Sequence, residues 1–221
     1  MAGPSMNHII YQDQNILLVE KLGGWLSVPG REGRNEQRDC LSFWLEERLS
    51  LRLFPCHRLD REVSGLIIYA KNEKAHRLIN IGFEKHTIFK TYQALSQQKS
   101  NLPMAPFEWK SLLVKGKKRA FEAPHGKTSI TKVGKVSLGR WKDLDVSLWE
   151  LHPITGRSHQ LRVHMSNAGF PILGDKLYGD SSEFGPSEIA LRAYRIDLPE
   201  NIQRELHLPS HFEIQPFLEF S

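Results

Sequence analysis

The chain has only two cysteines, Cys40 and Cys56, in 221 residues. Two thiols without a Cys-x-x-Cys pair make no disulfide framework, so a reduced compartment is the simpler expectation. The ten histidines are scattered without ligand spacing, and neither a metal nor a zinc site is expected. No apolar run approaches the ~20 residues of a membrane-spanning helix. Residues 1–8 lack a basic stretch followed by an apolar one, so no signal peptide is expected. They read as an N-terminal extension or an expression remnant, with Met6 as an alternative start. No internal repeat, low-complexity tract or linker is visible. What remains is a cytoplasmic globular protein, expected to be a monomer with one domain over 9–221.

Hydrophobic residues make up 40% and charged residues 25% of the chain, ordinary values for a chain with one sizeable core. Thirty Lys and Arg against 25 Asp and Glu leave a net charge of +5. That mild basic excess permits a polyanionic partner without demanding one.

Ile9–Tyr11 and Ile16–Glu20 are short β-like runs split by a polar turn. Lys21 to Gly30, with three Gly and a Pro, breaks regular structure. It reads either as a loop packing Trp25 on the core or as a substrate loop. Arg31 to Asp39 is a polar loop with three Arg. Leu41, Trp44, Leu45, Arg48 and Leu49 follow the spacing of an amphipathic helix. Asn72 caps a second helix that carries Ala75, Leu78, Ile79 and Phe83 on one face. Thr87–Leu95 and Val146–Leu151 read as strands, and Leu191–Leu198 and Phe212–Ile214 as late strands. Ser158 is the expected cap of a helix running to about Ala168, stopped by Gly169. The strands do not alternate cleanly with helices. That predicts an α+β fold with a mostly antiparallel, mixed sheet rather than a doubly wound one.

One stretch stands apart. Cys56 to Lys71 places His57, Arg58 and Asp60 just ahead of a Gly and a buried, Ile-rich strand, Leu66 to Ala70. A sheet fixes the backbone there, and the turn aims the polar side chains. A charged turn capped by its own Asp has the same composition, so the residue order carries the distinction. His57-Arg58-Leu59-Asp60, followed by Ser64-Gly65-Leu66, resembles the signature of the RluA family of RNA pseudouridine synthases. Thr155-Gly156-Arg157, His159-Gln160-Leu161-Arg162 and His164 resemble that family's third motif. Lys90-Thr91-Tyr92-Gln93-Ala94 is similar to its Lys-x-Tyr-x-Ala segment. The pieces stand in family order across most of the chain, from about Tyr11 to Tyr178.

The resemblance implies a pseudouridine synthase catalytic domain, a bent mixed sheet flanked by helices and loops, without an S4 domain ahead of it. It implies an isomerase for a uridine in structured RNA, a ribosomal or transfer RNA stem-loop, with no cofactor. Asp60 matches the family's catalytic carboxylate, as nucleophile at C1′ or base at C2′. Arg162 matches its cationic partner, and Tyr92 the aromatic that stacks on uracil or relays a proton. Leu161 is the expected apolar neighbour of the base, and Arg58 a filler of the space left by the flipped base or a phosphate ligand. His57, Ser64, Gly65, Thr155, Gly156, Arg157, His159 and Gln160 are expected mainly to shape loops, with His57 and Arg157 on the RNA side. Lys115, Lys117, Lys118 and Arg119 form a basic cluster suited either to phosphate or to open solvent. The chain departs from the family pattern at Leu22, where Pro is usual, at Val63, where Thr is usual, and at Arg192, where His is usual. Two other readings compete: a non-catalytic RNA-binding protein on the same fold, and a glycoside hydrolase, which would need a second carboxylate such as Glu62.

Overall fold

In the computed structural model, residues 5–220 are described. In chain order they form β1 (Ile9–Gln12), β2 (Ile16–Lys21), α1 (Leu41–Leu49), β3 (Phe54–Pro55), β4 (Ser64–Ala70), α2 (Glu73–Glu84), β5 (Phe89–Gln97), β6 (Phe107–Lys115), β7 (Ala120–Glu122), β8 (Lys127–Trp141), β9 (Leu144–Pro153), α3 (Gln160–Asn167), β10 (Leu191–Asp197), α4 (Glu200–Leu206) and β11 (His211–Glu213). Two single 3-10 turns, Met6–His8 and Gly33–Asn35, complete the set. Residues 1–4, part of the expected N-terminal extension, lie outside the described ones. The residues fall into two compact units, 5–88 with 195–214 and 89–194 with 215–220.

In the first unit, β4 is buried at every position because both of its faces are covered. Leu66, Ile68 and Ala70 share a core with Ala75 and Ile79 of α2 and with Ile202 and Leu206 of α4. The alternate residues, Ile67 and Tyr69, pack with Leu17, Val19, and Leu41 and Leu45 of α1. A strand covered on both faces loses its polar alternation. β2 runs antiparallel to β1 and to β4, with Lys21 opposite Gly65. The β1–β2 turn is tied by Asp13, whose carboxylate accepts from the amides of Asn15 and Ile16, both at 2.7 Å. Asn72 caps α2 as expected, accepting from the Ala75 amide at 2.9 Å.

The second unit is an antiparallel sheet in the order β5-β9-β8-β6-β7. β8 bulges at Gly134, where a Cβ would stand 2.7 Å from the Glu150 carboxylate and the His152 ring. A side chain there would have to displace both ends, and glycine avoids that at the bulge. α3 departs from expectation at its start. The N-cap is His159, in a left-handed conformation (φ 54°) with no side-chain cap bond, and not Ser158. Glycine stops the helix as expected, Gly169 taking φ 83°. The pairs β1–β2, β2–β4, β3–β4, β5–β9, β6–β7, β6–β8, β8–β9 and β10–β11 run antiparallel, in keeping with the mostly antiparallel, mixed sheet expected of an α+β fold.

Candidate active site

Asp60 is half-buried and opens a β-turn whose Val63 amide donates to the Asp60 carbonyl at 3.1 Å. Both of its neighbours are held. The Ser27 hydroxyl donates to the Leu59 carbonyl and accepts from the Leu59 amide, each at 3.0 Å. Ser27 is itself fixed by the buried Tyr69 hydroxyl of β4, which donates to its carbonyl at 2.6 Å. On the other side, the Arg61 carbonyl accepts from the Gly24 amide at 2.8 Å and from the Lys21 ammonium at 3.1 Å. Lys21 is fully buried. Its ammonium also donates to the carbonyls of Leu22 at 2.8 Å and Trp25 at 2.9 Å. Three carbonyls meet the three donors of the ammonium, offsetting a burial that would otherwise be prohibitive. The Lys21–Gly30 loop therefore clamps the backbone on each side of Asp60. That finding favours its structural reading.

Arg58 is exposed. His57 turns inward: its Nε2 accepts from the Ile68 amide of β4 at 3.1 Å, and its ring lies 4.9 Å from that of Phe83. Accepting there puts the ring proton on Nδ1. Val63 is buried at 3% exposure.

In the second unit, Tyr92 lies on β5 opposite Leu151 and is 6% exposed, with the Lys90 ammonium 5.8 Å above its ring. Leu161 and Arg162 sit in the first turn of α3, both buried. The Arg162 guanidinium forms a two-pronged ion pair with Asp175, Nε to Oδ2 at 2.7 Å and Nη2 to Oδ1 at 2.8 Å. The two side chains are 3% and 1% exposed. This fork uses the Nε–Nη2 edge of the guanidinium. The Tyr178 ring lies 5.2 Å below the same guanidinium.

The remaining third-motif residues wire the loop before α3. Gln160 accepts from the Thr155 hydroxyl at 2.7 Å and the Arg157 amide at 3.1 Å, and donates to the Ile130 carbonyl at 2.9 Å and the Thr131 hydroxyl at 3.0 Å. His159 Nδ1 and the Tyr178 hydroxyl are 3.0 Å apart. His164 bridges Thr131 at 2.9 Å and Ser111 at 2.8 Å. Burial pushes its pKa down to about 4, so it is neutral near pH 7. Arg157 is exposed and donates through Nε to the Thr128 carbonyl at 3.0 Å. Lys115, Lys117, Lys118 and Arg119 stand exposed around the β6–β7 turn, which the Gly116 amide closes on the Arg119 carbonyl at 3.0 Å.

Sequence reasoning singled out neither Ser27 nor Asp175. Each acts on a residue far along the chain, and neither has a local pattern that marks it. Among the described residues, no group of three or more His, Cys, Asp or Glu could hold a metal ion. None of their helices is long and apolar enough to cross a membrane.

The family described as RNA pseudouridylate synthase matches residues 15–167. The chain is 31% identical over 216 residues to "tRNA pseudouridine synthase C" of Yersinia pestis, covering 90% of this chain and 84% of that one. It is 35% identical over 189 residues to "Dual-specificity RNA pseudouridine synthase RluA" of Vibrio vulnificus, covering 81% and 72%. It spans only 57% of a further tRNA pseudouridine synthase C, from Pectobacterium carotovorum. Among solved structures, Human RNA Pseudouridylate Synthase Domain Containing 1 superposes with a TM-score of 0.69 at 25% identity, over 90% of this chain and 82% of that one. The fold, the order of the motifs and these matches lead to one conclusion: the chain belongs to the RluA family of RNA pseudouridine synthases.

Proposed function

We propose that this chain isomerises one uridine in a ribosomal or transfer RNA stem-loop to pseudouridine, with Asp60 as the catalytic carboxylate. The observation that carries this reading is the clamped turn. Asp60 is only half-buried, while Leu59 and Arg61 on either side are held by Ser27, Gly24 and Lys21. A carboxylate on a fixed backbone meets its target atom without an ordering cost at the moment of reaction.

The reaction breaks the N1–C1′ bond and joins C5 to C1′, and the proton on C5 is lost as N1 is protonated. Atoms and electrons balance without a redox partner, so no cofactor or metal is assigned. Asp60 acts as nucleophile at C1′ or as base at C2′. Tyr92 is the wall for the freed uracil, with Leu161 its apolar neighbour. Arg162 is the cation of the set, and its buried fork with Asp175 supports a fixed orientation. The target nucleotide leaves its stack, and Arg58 enters the space it vacates or binds a phosphate. His57 shapes the Asp60 loop from behind. Arg157 and the cluster Lys115, Lys117, Lys118 and Arg119 hold phosphates. The protein works as a cytoplasmic monomer on RNA. The relatives named for transfer RNA and for dual specificity support a stem-loop of that kind as the target. Mapping pseudouridine in total RNA from cells with and without the gene tests the assignment. One or a few sites should disappear on deletion; an unchanged map overturns the reading.

A further inference from the structure

At the far edge of the second unit, β6, β7, the start of β8 and the Gly156–Ser158 loop enclose a cavity of about 380 Å³. Its apolar lining comes from Leu113, Val114 and Ala120, and its rim from Lys115, Lys127 and Arg157. No carboxylate lines it among the described residues. Leu113 and Ala120 are 4% and 3% exposed and belong to a packed cluster with Val163 and Tyr178, so this wall is preformed. The Tyr178 hydroxyl secures it, accepting from the Ala120 amide at 2.8 Å and donating to its carbonyl at 3.0 Å.

A patch that only gathers phosphate needs cations and no apolar wall. Here three cationic side chains ring an apolar recess. That pairing suits a ligand with an anionic group at one end and a flat or sugar-like body at the other. The volume lies near the low end of the ~300–1,000 Å³ of small-ligand cavities, too small for a duplex and adequate for one nucleotide. Tyr92 is on β5, three strands away from β6 in the order β5-β9-β8-β6. At about 4.8 Å per strand that is roughly 14 Å, so one nucleotide cannot occupy both places.

We propose that this cavity binds a second, unpaired nucleotide of the RNA substrate, its phosphate held by Lys115, Lys127 and Arg157 and its nucleoside seated against Leu113 and Ala120, which share one face of the sheet. The proposal rests on the reading of the chain as an RNA-modifying enzyme and adds a second point of RNA recognition to it. Because apolar contact and charge do the holding, the pocket tolerates different bases.

The test uses the full chain with methyl-labelled Leu and Val. Uridine 5′-monophosphate should shift the methyl signals of Leu113, and inorganic phosphate at the same concentration should leave them in place. Gly156 gives a variant that keeps the fold, since a Cβ there meets nothing within 4 Å and its φ is not left-handed. Gly156→Glu places a carboxylate at the rim; Gly156→Gln places the same bulk without charge. Lys127→Ala should lower the salt slope of RNA binding by about 0.7, equivalent to about five-fold in affinity at 0.1 M salt. Gly156→Glu should lower affinity more than Gly156→Gln, whose side chain takes up the same space without the charge. Equal shifts with inorganic phosphate would reduce the cavity to an anion site and overturn the proposal. So would unmoved methyls, or equal losses in the Glu and Gln variants. Because the methyl shifts need no turnover, the two readings fail separately. A protein that shows the shifts but makes no pseudouridine refutes the catalytic reading alone. One that turns over normally without the shifts refutes the pocket alone.

Discussion

Asp175→Ala removes one half of the buried fork that holds Arg162. Both side chains are nearly inaccessible, at 3% and 1%, and both prongs are short, 2.7 and 2.8 Å. Deleting one partner of such a pair leaves the other charge in a low-dielectric setting and costs about 3–5 kcal/mol. In a chain of this size each kcal/mol moves the melting temperature by about 2–4 °C, so the variant should melt about 6–20 °C below wild type. A second variant separates charge from packing. Arg162→Met with Asp175→Leu removes both charges and keeps bulk, and such replacements of a whole pair are often neutral or stabilising. The double variant should therefore recover part of the lost stability. It should not recover turnover, because Arg162 is the cation of the proposed catalytic set. The assay is a thermal melt beside quantification of pseudouridine in the substrate RNA. An Asp175→Ala protein that melts within 2 °C of wild type, or a double variant as unstable as the single one, would refute the reasoning; the ~2 °C bound is the shift expected for less than about 1 kcal/mol.

Further outcomes follow from other sites. His164 has a folded pKa of about 4 against about 6.5 for the free side chain. Below pH 6.5 the unfolded chain takes up a proton that the folded one refuses. His164 therefore withdraws stability between about pH 6.5 and pH 4, by up to ~1.4 kcal/mol per pH unit. Urea melts across that window should show the slope, and His164→Gln should flatten it. Tyr92→Phe keeps the ring and should bind RNA like wild type, whereas Tyr92→Leu should lose about 1–3 kcal/mol of binding if a base stacks there. A Phe variant that equals wild type in both affinity and rate assigns no chemical part to the hydroxyl. Neutralising Lys115, Lys117, Lys118 and Arg119 together should flatten the salt dependence of RNA affinity. An unchanged slope would make the cluster a merely solvated surface.

The elements that bury a regular apolar face were legible. β4 reads as an unbroken apolar run because helices cover both of its faces, and α2 announces itself by the Asn72 cap and its period. β6 and β8 went unassigned, and the stretch from Phe121 to Lys127 reads as a loop although it starts inside β7. One face of β8 is solvated, and its Lys, Ser, Thr and Gly positions carry little hydrophobic signal although it is 15 residues long. α4 is only seven residues and buries just Ile202 and Leu206, too short for periodicity to speak. At α3 a Ser in the usual capping place misled, because the chain enters the helix through a left-handed His159 instead. Within the candidate site, the motif residues were legible by resemblance and their supports were not. Lys21 looks like the polar end of a strand, yet it is fully buried and bonds to Arg61 forty positions away. Asp175 looks like a loop carboxylate, yet it closes on Arg162 in the interior. Such long-range polar pairs are set by tertiary packing and leave no local period.

Asp60→Asn offers the most direct test of the central claim. The amide is nearly isosteric with the carboxylate, and the clamps on Leu59 and Arg61 engage backbone atoms and do not involve the Asp60 side chain. The variant should therefore fold and bind RNA within a few-fold of wild type. An amide is neither a nucleophile at C1′ nor a base at C2′, so pseudouridine formation should fall below about one per cent of wild type. Measured by single-turnover conversion of the mapped RNA, loss of product with retained binding is the predicted result. Turnover above that level in a folded Asp60→Asn protein would contradict the assignment of Asp60 as the catalytic carboxylate.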